Sequence, residues 1–348
     1  MKLDDLCEVF EALQFPGLGA HAHPERTSVL DARSAVGSAV VDEEFLVECI
    51  SWELRRLEDD HLKHGLVPFF IVPGLGVKFA FGYWPPGGTP GPHEHLAWTI
   101  TAVCRNYLEV RTYDREQTYL RRELVPKNCF PASAGRVGFI YEPCIHEPRN
   151  TSRDWSLSLH VISPRDGEPL LVDYEEPLPF LTPRRGVPSA VQKDPYTRVI
   201  VARFRRRFVH QLARILASMG TPQATQVLDQ CNGLASSETR RFINTTQKRG
   251  RSDAPESQWF LARTHKDLPL SHRDKGDEVA LVVETARGRI EELLFSKETR
   301  DAIAFVSREQ TFDVRTLPGN LSIENKTRIA DVLEETGLFT SMLQTGRN

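Results

Sequence analysis

The sequence predicts a mainly β core preceded by helices and followed by an α+β tail. Three observations carry this reading. Helix-like patterns cover residues 2–17 and 42–64; from about Val67 they give way to short apolar runs broken by Pro and Gly; and from Gln258 the pattern changes again. Short runs at regular spacing, with turn signals between them, are the mark of an all-β barrel or sandwich. A chain of 348 residues and 39.5 kDa also exceeds the ~250–300 residues at which single cores stop growing, so one large domain with a smaller companion is expected.

The helical lead-in rests on stretches such as Glu44 to Leu54, where apolar residues return at three- and four-residue steps. The strand candidates are Phe69–Val72, Val77–Trp84, Trp98–Val103, Leu108–Tyr113 and Leu157–Ile162. Residues 164–196 are rich in Pro (Pro177, Pro179, Pro183 and Pro188 among them) and read as a crossing segment or linker, because proline disfavours helix interiors and central strands. Thr197–Met219 reads as a helix. Val199, Ile200, Phe204, Phe208, Leu212, Ile215 and Leu216 form one face, and Arg198, Arg203, Arg205, Arg206, Arg207 and Arg214 form what reads as a solvated one. Gln247–Ser257 is polar and basic, a loop or second boundary. The tail offers two strand candidates, Glu278–Thr285 and Ala302–Val306, an Arg-Gly-Arg turn, and a closing helix from Ser322 to Thr336. Ser322 stands at the N-cap of that helix and Gly337 at its stop. The resulting division is 1–185, 186–257 and 258–348.

Composition narrows the function. Hydrophobic residues at 40% and charged residues at 26% are ordinary globular usage and supply a core. Lys plus Arg number 44 against 47 Asp plus Glu, a net charge of −3, so nucleic acid is not expected as a partner through bulk charge. No stretch approaches the ~20 apolar residues of a membrane span, and acids stand where a secretory signal would have its apolar run, so a cytoplasmic location is expected. The six cysteines are scattered without a Cys-x-x-Cys pair and read as inert buried thiols rather than disulfides or a Cys-rich zinc site.

The chemistry concentrates in Trp84 to His95. A Pro/Gly-rich turn delivers His93 and His95 into a strand-like segment, and residues two apart on a strand share a face, so both imidazoles can enter one cavity. His146 follows about fifty residues later at the end of another strand candidate. Three imidazoles in a barrel suit a divalent transition metal, and open coordination positions distinguish a catalytic from a structural site. His21 and His23 have the same spacing but lie in a Gly/Pro-flanked loop with no third partner, and read as loop histidines.

The Pro/Gly lead-in, the interval to His146 and the strand bearing His160 together resemble the double-stranded β-helix, or jelly-roll barrel, of the cupins. Where the cupin pattern adds a carboxylate ligand, this chain offers Thr99 and Ile100, so a carboxylate-free three-histidine centre is expected. Phe79 to His95, His146 to Asn150 and Ser158 to Pro164 resemble cysteine dioxygenase and its thiol dioxygenase relatives, over roughly residues 65–166. That resemblance implies Fe(II) held by His93, His95 and His146, with O2 and a small-molecule substrate as partners. It also implies that Ser158 and His160 are two members of a Ser-His-Tyr relay, although His160 reads equally as a satisfied core histidine.

Three positions depart from the family pattern. Ile162 stands where the relay Tyr belongs, Ile100 where some members carry a crosslinking Cys, and Val67 near the arginine that clamps the substrate carboxylate. Candidates to replace the clamp are Arg149, Lys78, Lys63 and His64, and Tyr141 and Trp98 are candidate pocket walls. The tail resembles the winged-helix-type domain appended to some cupin oxygenases, which implies a homodimer through the C-terminal domain. Two alternatives remain open: a non-oxidative metal-dependent cupin (lyase or isomerase), and a ligand-sensing regulatory cupin with a partner-binding tail.

Overall fold

The structure is a computed structural model and describes all residues except 18–21, 59–66, 167–177, 183–194, 248–258, 286–287 and 343–348. His21, Lys63, His64, Pro177, Pro183, Pro188, nearly all of the 247–257 loop and the first Arg of the Arg-Gly-Arg turn lie outside the described residues. The chain divides into two compact units at residues 186/187.

Three helices open the first unit: α1 (Leu3–Ala12), α2 (Arg26–Val40) and α3 (Glu43–Glu58). Leu3, Leu6, Cys7 and Phe10 recur at helical steps and form the buried face of α1. Phe10 stacks on Trp98 at 6.3 Å and meets the edge of Phe79 at 6.2 Å, and burying such a side chain contributes about 1.5–3 kcal/mol. The sequence reading did not separate α2, whose buried residues are small or β-branched (Val29, Ala32, Val36, Ala39, Val40) and give only a weak apolar stripe.

Among the described residues nine strands follow: β1 (Phe70–Ile71), β2 (Lys78–Trp84), β3 (His93–His95), β4 (Thr99–Arg105), β5 (Tyr107–Tyr113), β6 (Pro126–Ser133), β7 (Val137–Ile140), β8 (Cys144–Arg149) and β9 (Ser156–Ile162), with helix α4 (Arg115–Arg121) between β5 and β6. They form two antiparallel sheets, ordered β1-β2-β9-β4-β7 and β3-β8-β5-β6. The pairs β2·β9, β3·β8, β4·β7 and β5·β6 nest about the β5–β6 connection, so the chain is one long antiparallel hairpin whose successive pairs alternate between the sheets. That winding is the double-stranded β-helix, or jelly roll. The fold class expected from the sequence is the one found. The sequence reading did not list β6, which carries Pro126 and Pro131; it is an exposed edge strand, where proline is tolerated.

Alternation fixes which side chains enter the barrel. Trp84 and Val103 of one sheet pack with Leu108 of the other and with Ala132, so these positions and those two residues away on the same strands face inward. Phe79 and Tyr83, on the opposite face of β2, meet the helices: Tyr83 donates to Glu53 Oε1 of α3 at 2.9 Å.

The second unit contains α5 (Pro195–Met219), α6 (Pro222–Gln230), α7 (Ser237–Thr246), the sheet β11-β12-β13 (Leu270–Lys275, Glu278–Thr285, Gly288–Ser296) and the sheet β14-β10-β15 (Thr311–Asp313, Phe260–Arg263, Phe339–Met342), with α8 (Arg300–Val306) and α9 (Ile323–Glu335). Its core joins Val199 of α5 to Leu261, Leu281, Ile303, Leu333 and Phe339. Two expectations are corrected here. Ala302–Val306 lies in helix α8, not in a strand; Ala302, Ile303 and Val306 form one helical face, and a five-residue apolar run does not by itself distinguish the two periods. The arginine face of α5 is not wholly solvated. Arg206 is buried and donates to the Glu334 carbonyl, and Arg203 donates to the Thr336 carbonyl at 2.8 Å, so both satisfy carbonyls at the C-terminal end of α9. Gly337 ends that helix with φ +82, as its position predicts.

Candidate metal centre

The ladder between β3 and β8 sets His93 directly opposite His146, with His95 two residues along on the same face. One ligand atom from each of the three imidazoles lies within 4.8 Å of the others, and this is the metal-capable group among the described residues. The rings sit 4.5 to 5.3 Å apart, centroid to centroid. His93 Nδ1 lies 2.9 Å from the Gly91 carbonyl, so Nδ1–H donates there and Nε2 is left as the ligand atom. Gly91 adopts φ +79 at this turn, a conformation that favours glycine. Asp166, four residues beyond β9, places Oδ2 3.4 Å from His95 Nδ1, within ion-pair range but not aligned as a hydrogen bond. The donor chemistry therefore fits a divalent transition metal. Among the described residues no carboxylate belongs to the group, and Thr99, four residues beyond His95, is buried.

Across the barrel, Ser158 and His160 share a face of β9 with Ile162. Trp84 Nε1 donates to Ser158 Oγ at 2.7 Å, Ser158 Oγ lies 2.8 Å from His160 Nε2, and Thr101 Oγ1 lies 3.2 Å from His160 Nδ1. The indole can only donate, so Ser158 Oγ accepts from Trp84, and His160 is met at both ring nitrogens, Nε2 by Ser158 and Nδ1 by Thr101. Gly82 makes room for this chain, because a Cβ there would stand 2.7 Å from both His160 Nε2 and Ser158 Oγ.

The remaining sequence candidates lie elsewhere. Arg149 points to the opposite face of β8 from His146 and pairs with Glu147 at 3.0 Å. Burial pushes Glu147 up, but hydrogen bonds from Arg149, Tyr113 and Thr89 outweigh it and hold the carboxyl below its ordinary range. Tyr141 donates to the Pro24 carbonyl at 2.9 Å and meets the edge of His23. Trp98 packs against Phe10 and Phe15, facing α1, and lines a cavity of about 100 Å³ with Phe15, His23, Leu96, Ser163 and Arg165. Of the described clamp candidates, Lys78 is the one on the inward face. It shares that face of β2 with Ala80 and Gly82, lies in register with Ile162, and donates to the Pro164 carbonyl at 3.3 Å, two residues from the Asp166 behind His95. The sequence reading missed Asp166, Thr101 and Gly82, none of which carries a local signal, because each meets its partner across the fold.

Strand winding and site together define a jelly-roll chain with a three-histidine group able to hold a metal ion. No family model and no curated protein matches the chain. Among solved structures it is similar to a double-stranded β-helix protein from Klebsiella pneumoniae (15% identity, 25% of this chain and 67% of that one, TM-score 0.21). It is also similar to an oxalate oxidase in complex with glycolate (23% identity, 27% and 46%, TM-score 0.22) and to oxalate decarboxylase from Bacillus subtilis (15% identity, 25% and 21%, TM-score 0.22). The match spans less than half the length of each oxalate enzyme.

Proposed function

We propose that this chain is a non-haem Fe(II) dioxygenase of the thiol dioxygenase type, adding both atoms of O2 to a small thiolate (RS⁻ + O2 → RSO2⁻) or oxidising another metal-chelating, amino-acid-like substrate. The observation that carries the reading is the convergence of three imidazoles into one ligand group that, among the described residues, includes no carboxylate. Bound there, Fe(II) keeps its full 2+ charge among neutral ligands, and so supplies a Lewis acid for an anionic sulfur and a redox partner for O2.

The chain's own residues prepare the rest. The Gly91 carbonyl orients His93, and Asp166 brings a carboxylate within ion-pair range of His95. The Ser158–His160–Thr101 chain meets both ring nitrogens of His160 and can hold or pass a proton inside the barrel. Lys78 is positioned to receive an acidic group of the substrate, a role that Arg149 cannot take from the far face of β8.

The test is elemental analysis of anaerobically prepared protein, paired with O2-electrode traces against cysteine, cysteamine and 3-mercaptopropionate. Near-stoichiometric iron with thiol-dependent O2 uptake is expected. Lys78→Met is expected to raise KM for the two acidic thiols and leave cysteamine unchanged. Iron without uptake would point to a non-thiol substrate, and zinc or nickel alone would move the assignment to a non-oxidative or ligand-sensing protein. A homodimer through residues 258–348 is the accompanying proposal, checked by light scattering of the full chain.

A further inference from the structure

The row that carries two of the ligands continues across the sheet. His93 pairs with His146, and His146 pairs with Thr112 of β5. Residues directly opposite in an antiparallel ladder share a face, so Thr112 presents its side chain on the side of the imidazoles. Leu108, four residues earlier on the same strand, already packs in the barrel interior with Trp84 and Val103. On the other side of β5 the ladder to β6 slips at Thr112/Tyr113, where Thr112 pairs with Asn128 and Tyr113 with Pro126.

The Thr112 hydroxyl is buried and has no hydrogen-bond partner among the described residues. An unsatisfied buried hydroxyl carries a desolvation cost that native proteins rarely leave unanswered, and an absent ion or ligand is one of the standard reasons for it. On the facing sheet the Ser158 and Thr101 hydroxyls both lie within hydrogen-bond distance of His160.

We infer that Thr112 is a ligand-contacting residue: its O–H donates to an anion held in the exchangeable position of the three-histidine centre. The chemical class is a small anion with an exposed lone pair, an oxygen or nitrogen anion above all, because a hydroxyl donates more strongly to these than to sulfur. Thr112 then adds a neutral donor where the three neutral imidazoles leave the metal's charge uncompensated. This inference rests on the metal-centre reading proposed above.

The experiment uses the full chain loaded anaerobically with Co(II), whose visible spectrum reports ligand exchange without turnover. Azide and formate are titrated into wild type, Thr112→Val, Thr112→Ala and Thr112→Ser. All four are expected to hold equal cobalt. The Val and Ala variants are expected to bind either anion about two- to tenfold more weakly, the range of one net hydrogen bond, and Ser to stay near wild type. Val or Ala variants with full cobalt and unchanged anion affinity would overturn the Thr112 assignment while leaving the metal centre intact. Loss of cobalt on removing the hydroxyl would overturn it too, since Thr112 would then support His146 rather than meet the ligand. Wild-type protein that takes up no cobalt would defeat the metal-centre reading itself, and the inference with it.

Discussion

Gly82 shows how one residue decides whether the inward-facing polar chain can exist. Its missing Cβ leaves space that His160 Nε2 and Ser158 Oγ fill to within 2.7 Å of where that atom would stand. Gly82→Ala must push one of them aside, breaking a buried hydrogen bond and overpacking the interior. The expected loss is about 1–3 kcal/mol in urea unfolding, with a displaced His160 imidazole resonance. Wild-type stability and an unmoved resonance would show that the packing there is looser than described. The metal ligands behave differently, because each supplies one atom to a common point. His93→Ala, His95→Ala and His146→Ala are each expected to lose the metal, and His23→Ala, whose Nδ1 lies against the Pro24 carbonyl, to keep it. Elemental analysis decides, and full iron in the His146 variant would defeat the site.

Elements impose their own constraints. In α3, Glu53 is buried and accepts from Arg56 and Tyr83. Burial pushes its carboxyl above the ordinary 4.5, the hydrogen bonds from Arg56 and Tyr83 only partly opposing it. The folded state therefore holds the proton to higher pH than the unfolded state, and stability falls as pH rises from about 4.5 through the folded value. Glu53→Gln removes this dependence. Urea midpoints compared across that window should converge toward low pH, apart from an offset for the changed hydrogen bonds, and a parallel pH profile in the variant would refute the account. At the end of α9, Gly337 combines φ +82 with close approach to α5, since a Cβ would lie 2.8 Å from Arg203 N. Gly337→Ala is expected to cost at least about 2 kcal/mol, read by chemical denaturation, because left-handed strain and backbone overlap add. A loss under half of that would mean that α5 can yield.

At the scale of the molecule, two separate cores are the governing fact. The metal group, its backing residues and the Ser158–His160–Thr101 chain all lie in the first unit, while Val199 through Phe339 build the core of the second. Residues 1–186 expressed alone are expected to bind a divalent metal with the stoichiometry of the full chain, measured by elemental analysis. A folded but metal-free fragment would show that residues beyond 186 complete the site. No helix among the described residues is long and apolar enough to cross a membrane.

The sequence by itself determined what local periodicity encodes. Alternation in His93-Glu94-His95 put two imidazoles on one face, runs such as Val77–Trp84 and Leu157–Ile162 announced barrel strands, and Ser322 and Gly337 bracketed the last helix, where Ser322 Oγ accepts from Asn325 N. Tertiary structure alone decided the rest. Register set Thr112 beside His146, turned Arg149 away while leaving Lys78 inward, and brought Asp166 to His95 and Thr101 to His160. Those relations join residues that are tens of positions apart in the chain, and a one-residue slip of any ladder would reverse them. Helix α8 belongs to the same category, since its short apolar run fits either period until the core against which it packs selects one.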